Sequence, residues 1–280
     1  MNHLPKSVPA KPLLAIHGWG FNSAVWDDIG NQLKTDYRFN AIDLPGFGQS
    51  PMLEGEYTLS ALADSVADSM DEARVDSMNE TMAITAPSSS VIMGWSLGGL
   101  VALEMAHRYP ERVRALVMVA SGPRFTTTAD WPHGVAPNIL DTFSETLAQD
   151  HKTALSRFLL LQAGRTDAGR ATVKKLKSLL FRHGGPDRRA LKEGLTLLRE
   201  TDARQILGMI RCPVLFILGG KDNLLSSSVA TDLPRLCPGC QVLVIEGSAH
   251  APFISHPVEF LQGLLSFLNV HEEEFHHPGK

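Results

Sequence analysis

Six short runs rich in Val, Ile and Leu, at residues 13–16, 39–43, 90–94, 113–120, 214–219 and 241–246, are each followed by helical periodicity. Runs that are apolar without alternation fit strands buried on both faces, and the helices between them supply the crossovers that parallel strands need. The chain is therefore expected to be α/β: a mostly parallel sheet with helices on both faces. Core helices are expected at 24–33, 59–74, 97–108, 229–236 and 257–268, with Asn22 or Ser23 capping the first and Ser60 the second. A chain of 280 residues, 44% hydrophobic and 20% charged, has ample core and falls outside the disordered, coiled-coil and collagen-like classes.

Between 121 and 207 the strand-like runs vanish, and only amphipathic patterns remain, near 139–147, 153–162, 171–181 and 189–199. This predicts a helical lid at 121–207 inserted into a core made of 1–120 and 208–280. Residues 121–206 hold 14 Lys and Arg against 9 Asp and Glu, so a segment with an excess of five positive charges sits in a chain of net charge −4. No global positive excess points to nucleic acid. Three cysteines, Cys212, Cys237 and Cys240, are too few and odd in number for a disulfide scaffold. The N-terminal prolines break any signal-peptide core, and no apolar run approaches the roughly 20 residues of a membrane span. The expectation is a soluble, cytoplasmic monomer with no membrane partner. The polar segment 76–89 and the tail 271–280 are expected to be mobile surface.

Gly94-Trp95-Ser96-Leu97-Gly98 is a G-x-S-x-G set between the third apolar run and a helical pattern. At such a strand-to-helix turn the glycines allow backbone segments to approach closely, and the serine hydroxyl is lifted above the carboxyl edge of the sheet. Serine needs a base to become a nucleophile at neutral pH, and a histidine base needs a carboxylate to fix its tautomer. Asp222 and His250 each follow a strand run by a few residues, where open α/β sheets place their sites. The expected catalytic set is Ser96, Asp222 and His250. His17, in His17-Gly18-Trp19-Gly20, rivals His250, but its position after the first run suits a backbone donor, so the N–H groups of Trp19 and Leu97 are expected to form the oxyanion hole. Asp43 also ends a strand run, one that precedes the serine, and is expected to serve the following turn. Cys237 and Cys240 have C-x-x-C spacing without a second Cys/His pair nearby, and no phosphate-binding glycine motif follows a strand. Neither a metal nor another cofactor is expected.

With these residues in place the chain resembles the α/β-hydrolases, and more narrowly the bacterial pimeloyl-[acyl-carrier protein] methyl ester esterases of biotin biosynthesis. The resemblance rests on LLAIHGWGFNSAVW, AIDLPGFGQS, GWSLGGLVALEMAHRYPERVRALVMVAS, Trp131-Pro132, RFLLLQ and AHAPFISHPVEF, which together span residues 13–268. It implies a methyl ester substrate on an acyl-carrier protein, the same three catalytic residues, Trp19 and Leu97 around the ester carbonyl, and Phe158, Leu159, Leu160, Leu161 and Gln162 lining the acyl pocket. Carrier proteins are acidic, so Lys152, Arg157, Arg170 and Lys174 of the basic lid are the expected docking residues. The competing readings are a general short-chain esterase, a carbon–carbon bond hydrolase with the same three residues, and a non-enzymatic ligand receptor on this scaffold.

Overall fold

The computed structural model describes residues 11–77, 89–163 and 167–276. The six apolar runs become β1 (Lys11–Ile16), β2 (Tyr37–Ile42), β3 (Ser90–Trp95), β4 (Val113–Val119), β5 (Val214–Gly219) and β6 (Gln241–Ile245). They form one sheet in the order β2-β1-β3-β4-β5-β6, with every neighbouring pair parallel. Every residue of the interior strands β3 and β5 is buried, as runs without alternation require. β1 starts before the apolar run because Lys11 and Pro12 pair with Tyr37 and Arg38 of β2.

Four long helices or helix ends differ in detail from expectation. The first expected helix is a single 3-10 turn, Ser23–Trp26, followed by α1 (Asp27–Leu33). Asn22 caps the turn: its Oδ1 accepts from the Ala24 N–H at 3.1 Å, and its Nδ2 donates to the carbonyls of Leu179 and Leu180. α2 (Leu59–Ser77) is capped by Thr58, whose hydroxyl accepts from the Ala61 N–H. Ser60 lies within the first turn instead, and donates to Glu104 of α3 (Leu97–Arg108). The segment 229–236 is a 3-10 turn, Ser227–Thr231, then α9 (Leu233–Leu236), with Asp232 between them. α10 (Pro252–Ser255) precedes α11 (Pro257–His276), which continues through most of the tail where mobility was expected. Residues 78–88 and 277–280 lie outside the described residues.

Between β4 and β5 the described residues form α4 (Pro137–Gln149), α5 (His151–Ala163), α6 (Asp167–Leu179), α7 (Arg188–Glu200) and α8 (Arg204–Leu207), with isolated bridges joining Thr126 to Val135 and Thr128 to Trp131. α7 carries its apolar residues on one face, burying Ala190, Leu191, Gly194, Leu195 and Leu198. The insertion is tied at its ends by the Ala203 N–H, which donates to the Pro123 carbonyl at 2.8 Å. No helix among the described residues is long and apolar enough to cross a membrane.

Candidate active site

β3 runs directly into α3, and Ser96 occupies the turn between them with φ 55° and ψ −119°. A non-glycine residue in this region carries backbone strain, which the surrounding packing must hold. The packing is close because neighbouring glycines permit it: a Cβ on Gly94 would strike the Gly98 carbonyl, and one on Gly98 would strike the His17 carbonyl. The Ser96 N–H donates to the Val119 carbonyl, and Ser121 Oγ donates to the Ser96 carbonyl at 2.8 Å. The strained serine is thereby fixed from both sides.

Ser96 Oγ lies 2.9 Å from His250 Nε2, and His250 Nδ1 lies 2.7 Å from Asp222 Oδ2. With Nδ1–H donating to the carboxylate, Nε2 is left to accept the serine proton. Asp222 is oriented by its second oxygen, which accepts from the N–H groups of Leu224 and Leu225. All three side chains are almost completely buried. The histidine backbone is also held at both ends: its N–H donates to the Gln162 carbonyl, and its carbonyl accepts from the Trp95 indole at 2.7 Å.

The loop after β1 lies against this serine, since the space beside Gly18 is filled by Trp95 and the Ser96 Cβ. Its shape is set by His17, whose Nδ1–H donates to the Gly18 carbonyl at 2.8 Å and whose Nε2 accepts from the Leu44 N–H at 2.9 Å. Complete burial keeps this imidazole neutral and pulls its pKa down to about 4, against weaker upward pulls from Gly18 and Asp43. Asp43 accepts from the backbone N–H groups of Ser23 and Gln49. Burial pushes its carboxyl up, but the N–H groups of Gln49 and Ser23, with further help from the Ser23 side chain and His17, hold it below the usual range. Leu97 opens α3, so its N–H is among the first-turn amides that no helical carbonyl can satisfy. Trp19 is buried, donates its indole N–H to the Leu191 carbonyl at 2.8 Å and meets Phe158 edge-on at 4.6 Å between ring centres.

The five residues 158–162 divide by helical geometry. Phe158 is packed between Trp19 and Phe143, Leu159 is buried, and Leu161 is half-buried with its carbonyl accepting from Asn223. Leu160 is 60% exposed, because five successive residues of a helix cannot share one face. Gln162 is buried with neither end of its amide partnered, beside the backbone of His250. Lys152, Arg157, Arg170 and Lys174 are all exposed. Cys212, Cys237 and Cys240 are free thiols, and burial pushes each of them up. The contacts to Gln162, Trp95, Ser121 and Leu191 were missed in sequence, because they join segments up to 172 residues apart through backbone atoms, which leave no residue-type signature.

A family model described as alpha/beta hydrolase fold matches residues 11–257. The chain belongs to the α/β-hydrolase family. Among its relatives, the pimeloyl-[acyl-carrier protein] methyl ester esterase of Sodalis glossinidius (strain morsitans) is 40% identical over 257 residues, covering 92% of this chain and 93% of the relative. The protein of the same name from Aeromonas salmonicida (strain A449) is 38% identical over 251 residues, covering 89% and 92%. In three dimensions the chain resembles an esterase from Exiguobacterium antarcticum and a bromoperoxidase from Bacillus anthracis, each with a TM-score of 0.80 at 21% identity over 93% of this chain and 92% of theirs. At that identity the likeness is one of fold.

Proposed function

We propose that the chain is a serine carboxylesterase that cleaves the methyl ester of a pimeloyl group held on an acyl-carrier protein, releasing methanol. The observation that carries the chemistry is the continuous hydrogen-bond line from Ser96 through His250 to Asp222. The substrate follows from relatives of that name, matched over about nine-tenths of both chains.

His250 Nε2 takes the Ser96 proton as Oγ bonds to the ester carbon, while Asp222 stabilises the imidazolium. The carbonyl oxygen becomes negative and is met by the N–H groups of Leu97 and Trp19, at the positive end of α3. The carbon–methoxy bond then breaks, and His250 returns the proton to the departing methoxide, leaving an acyl-Ser96. Water, deprotonated by the same histidine, attacks the acyl carbon; the bond to Ser96 Oγ breaks, His250 returns the proton to that oxygen, and the acid leaves and ionises to its carboxylate. Trp19, Phe158 and Leu159 supply apolar wall for the acyl chain, and the unpartnered Gln162 amide supplies a polar group where the substrate's own polar atoms must be met. Residues 121–207 act as the lid, and Lys152, Arg157, Arg170 and Lys174 face the acidic carrier.

The deciding experiment compares turnover of methyl pimeloyl-carrier with that of free dimethyl pimelate. A higher kcat/KM on the carrier-linked ester is expected. Equal values would leave an esterase of general specificity, and no turnover of either would return the chain to the receptor reading.

A further inference from the structure

Five cations of the helical insertion are paired with carboxylates where they stand. Lys175 pairs with Asp28, Arg182 with Asp27, Arg199 with Asp141, and Arg124 and Arg204 share Asp202. The outer side of α4 and α7 is different. A groove of about 480 Å³ runs between these helices, lined in part by Leu147 and Ala148. Arg188, Arg189 and Lys192 line it against a single carboxylate, Glu193. Among the described residues Arg188 reaches only the Ala148 carbonyl, at 3.4 Å, and Arg189 donates to the carbonyls of Leu53 and Gly55. Lys192 approaches Glu193 no closer than 4.0 Å and keeps 70% of its side chain exposed. The charge of both arginines is thus hydrogen-bonded without being cancelled. α4 also links this groove to α5, because Arg157 donates to Thr146 of α4 at 3.4 Å.

We infer that the α4–α7 groove is a docking surface for an acidic protein, the carrier that holds the acyl chain. The inference rests on the carrier-ester reading above and extends its docking surface from α5 and α6 across α4 to Arg188 and Lys192. A groove walled by uncancelled cations fits an acidic protein surface, since each of these cations gains a partner on docking. The placement also bears on the chemistry: the inner face of the same helix holds the Trp19 indole through the Leu191 carbonyl, so a partner seated outside α7 lies one helix thickness from the proposed oxyanion hole.

The test is a double charge reversal, Arg188→Glu with Lys192→Glu, in the full chain. Arg188 opens α7, where glutamate is favoured by the helix dipole, and both positions are exposed, so the fold is expected to survive. KM for methyl pimeloyl-carrier should rise about tenfold, with kcat unchanged and turnover of dimethyl pimelate unchanged. The rise should shrink as salt is raised, because screening weakens exposed charge pairs. An unchanged KM for the carrier-linked ester would overturn the inference, and so would equal loss on both esters, which would assign the two cations to holding the insertion in place. Should the double alanine variant, Arg188→Ala with Lys192→Ala, melt below the wild type, the reversal is repeated at Lys192 alone and the same KM criterion applies. If the wild type turns over both esters equally, the carrier reading itself fails and this inference falls with it; if the wild type prefers the carrier and only reversal of Arg170 and Lys174 weakens it, the carrier reading stands and the groove is excluded.

Discussion

At the scale of single residues, two fully buried histidines sit in different hydrogen-bond settings. His250 bridges Ser96 and Asp222, and His17 is sealed in the backbone below the serine. Ser96→Ala should leave the melting temperature near that of the wild type and lower ester turnover by several orders of magnitude, because triad members act as a unit. Asp222→Asn should lower kcat by about 10⁴, through the wrong imidazole tautomer. A steady-state assay on any turned-over ester checks both. His17 predicts a pH effect on stability. Its folded pKa of about 4 lies below the value of about 6.5 for an unfolded chain, so the unfolded state binds the proton first. The stability this neutral, doubly bonded ring supports is therefore complete above pH ~6.5 and is lost progressively toward pH ~4, by up to about 3 kcal/mol. His17→Gln should be less stable than the wild type at pH 7.5 but lose less on going to pH 4.5, as read from urea midpoints. Ser96, Asp222 and His250 were readable in sequence because each follows a strand run in the order the fold imposes. The burial of His17 was not, since periodicity cannot reveal what closes over a loop.

Among the elements, strands and long helices were legible because their burial is written in residue type: β3 and β5 are apolar throughout, and α7 has a single apolar face. The Asn22 cap was legible too, but the cap of α2 and the short 3-10 turns were not. Ser60 and Thr58 offer the same hydroxyl, and in the fold Thr58 accepts from the Ala61 N–H while Ser60 donates to Glu104. The five residues 158–162, named together by the family resemblance, divide at the exposed Leu160, because successive helix residues are rotated by about 100°. Gly194 provides the element-scale prediction. In the middle of α7, glycine costs about 1 kcal/mol of helix propensity relative to alanine, so Gly194→Ala would ordinarily stabilise. Here the added Cβ would sit 2.8 Å from Trp19 Cδ1 and 3.3 Å from a Leu97 methyl carbon, both in buried side chains. Overpacking of this kind costs about 1–3 kcal/mol, which outweighs the propensity gain. The melting temperature should fall rather than rise. Because Trp19 and Leu97 carry the proposed oxyanion donors, kcat on a small free ester should fall by at least about tenfold, and the paired measurement of Tm and kcat checks both effects.

For the molecule as a whole, charge is arranged so that the insertion is fastened at its base and left cationic on its outer side. The excess of basic residues in 121–206 was visible in sequence, but which of them are cancelled is a property of the folded contacts. The fastening lies where the chain enters and leaves the insertion. Arg204 binds Asp202 and Asp130 and lies over the Trp131 ring, Arg124 reaches across to Asp202 at 2.7 Å, and His133 joins Ser228 and Asp232 of the core. Asp202 is the shared node: hydrogen bonds from Arg204, and then Arg124, outweigh the effect of burial and hold its carboxyl at about 2. A depressed carboxylate lends stability above its ordinary value near 3.8 and loses it only as pH falls through about 2, so this clasp stays closed across the range in which His17 titrates. Asp202→Ala removes both arginine contacts at once and leaves the core sheet untouched. Amide hydrogen exchange should then speed at least about tenfold in 123–131 and 201–207 while β3 to β5 keep wild-type protection, since local opening and global unfolding are separate equilibria. Uniform acceleration across sheet and insertion would mean that the clasp supports the whole fold, and unchanged exchange at the base would mean that the Ala203 to Pro123 hydrogen bond and the packing of α8 against α3 hold it without the charges.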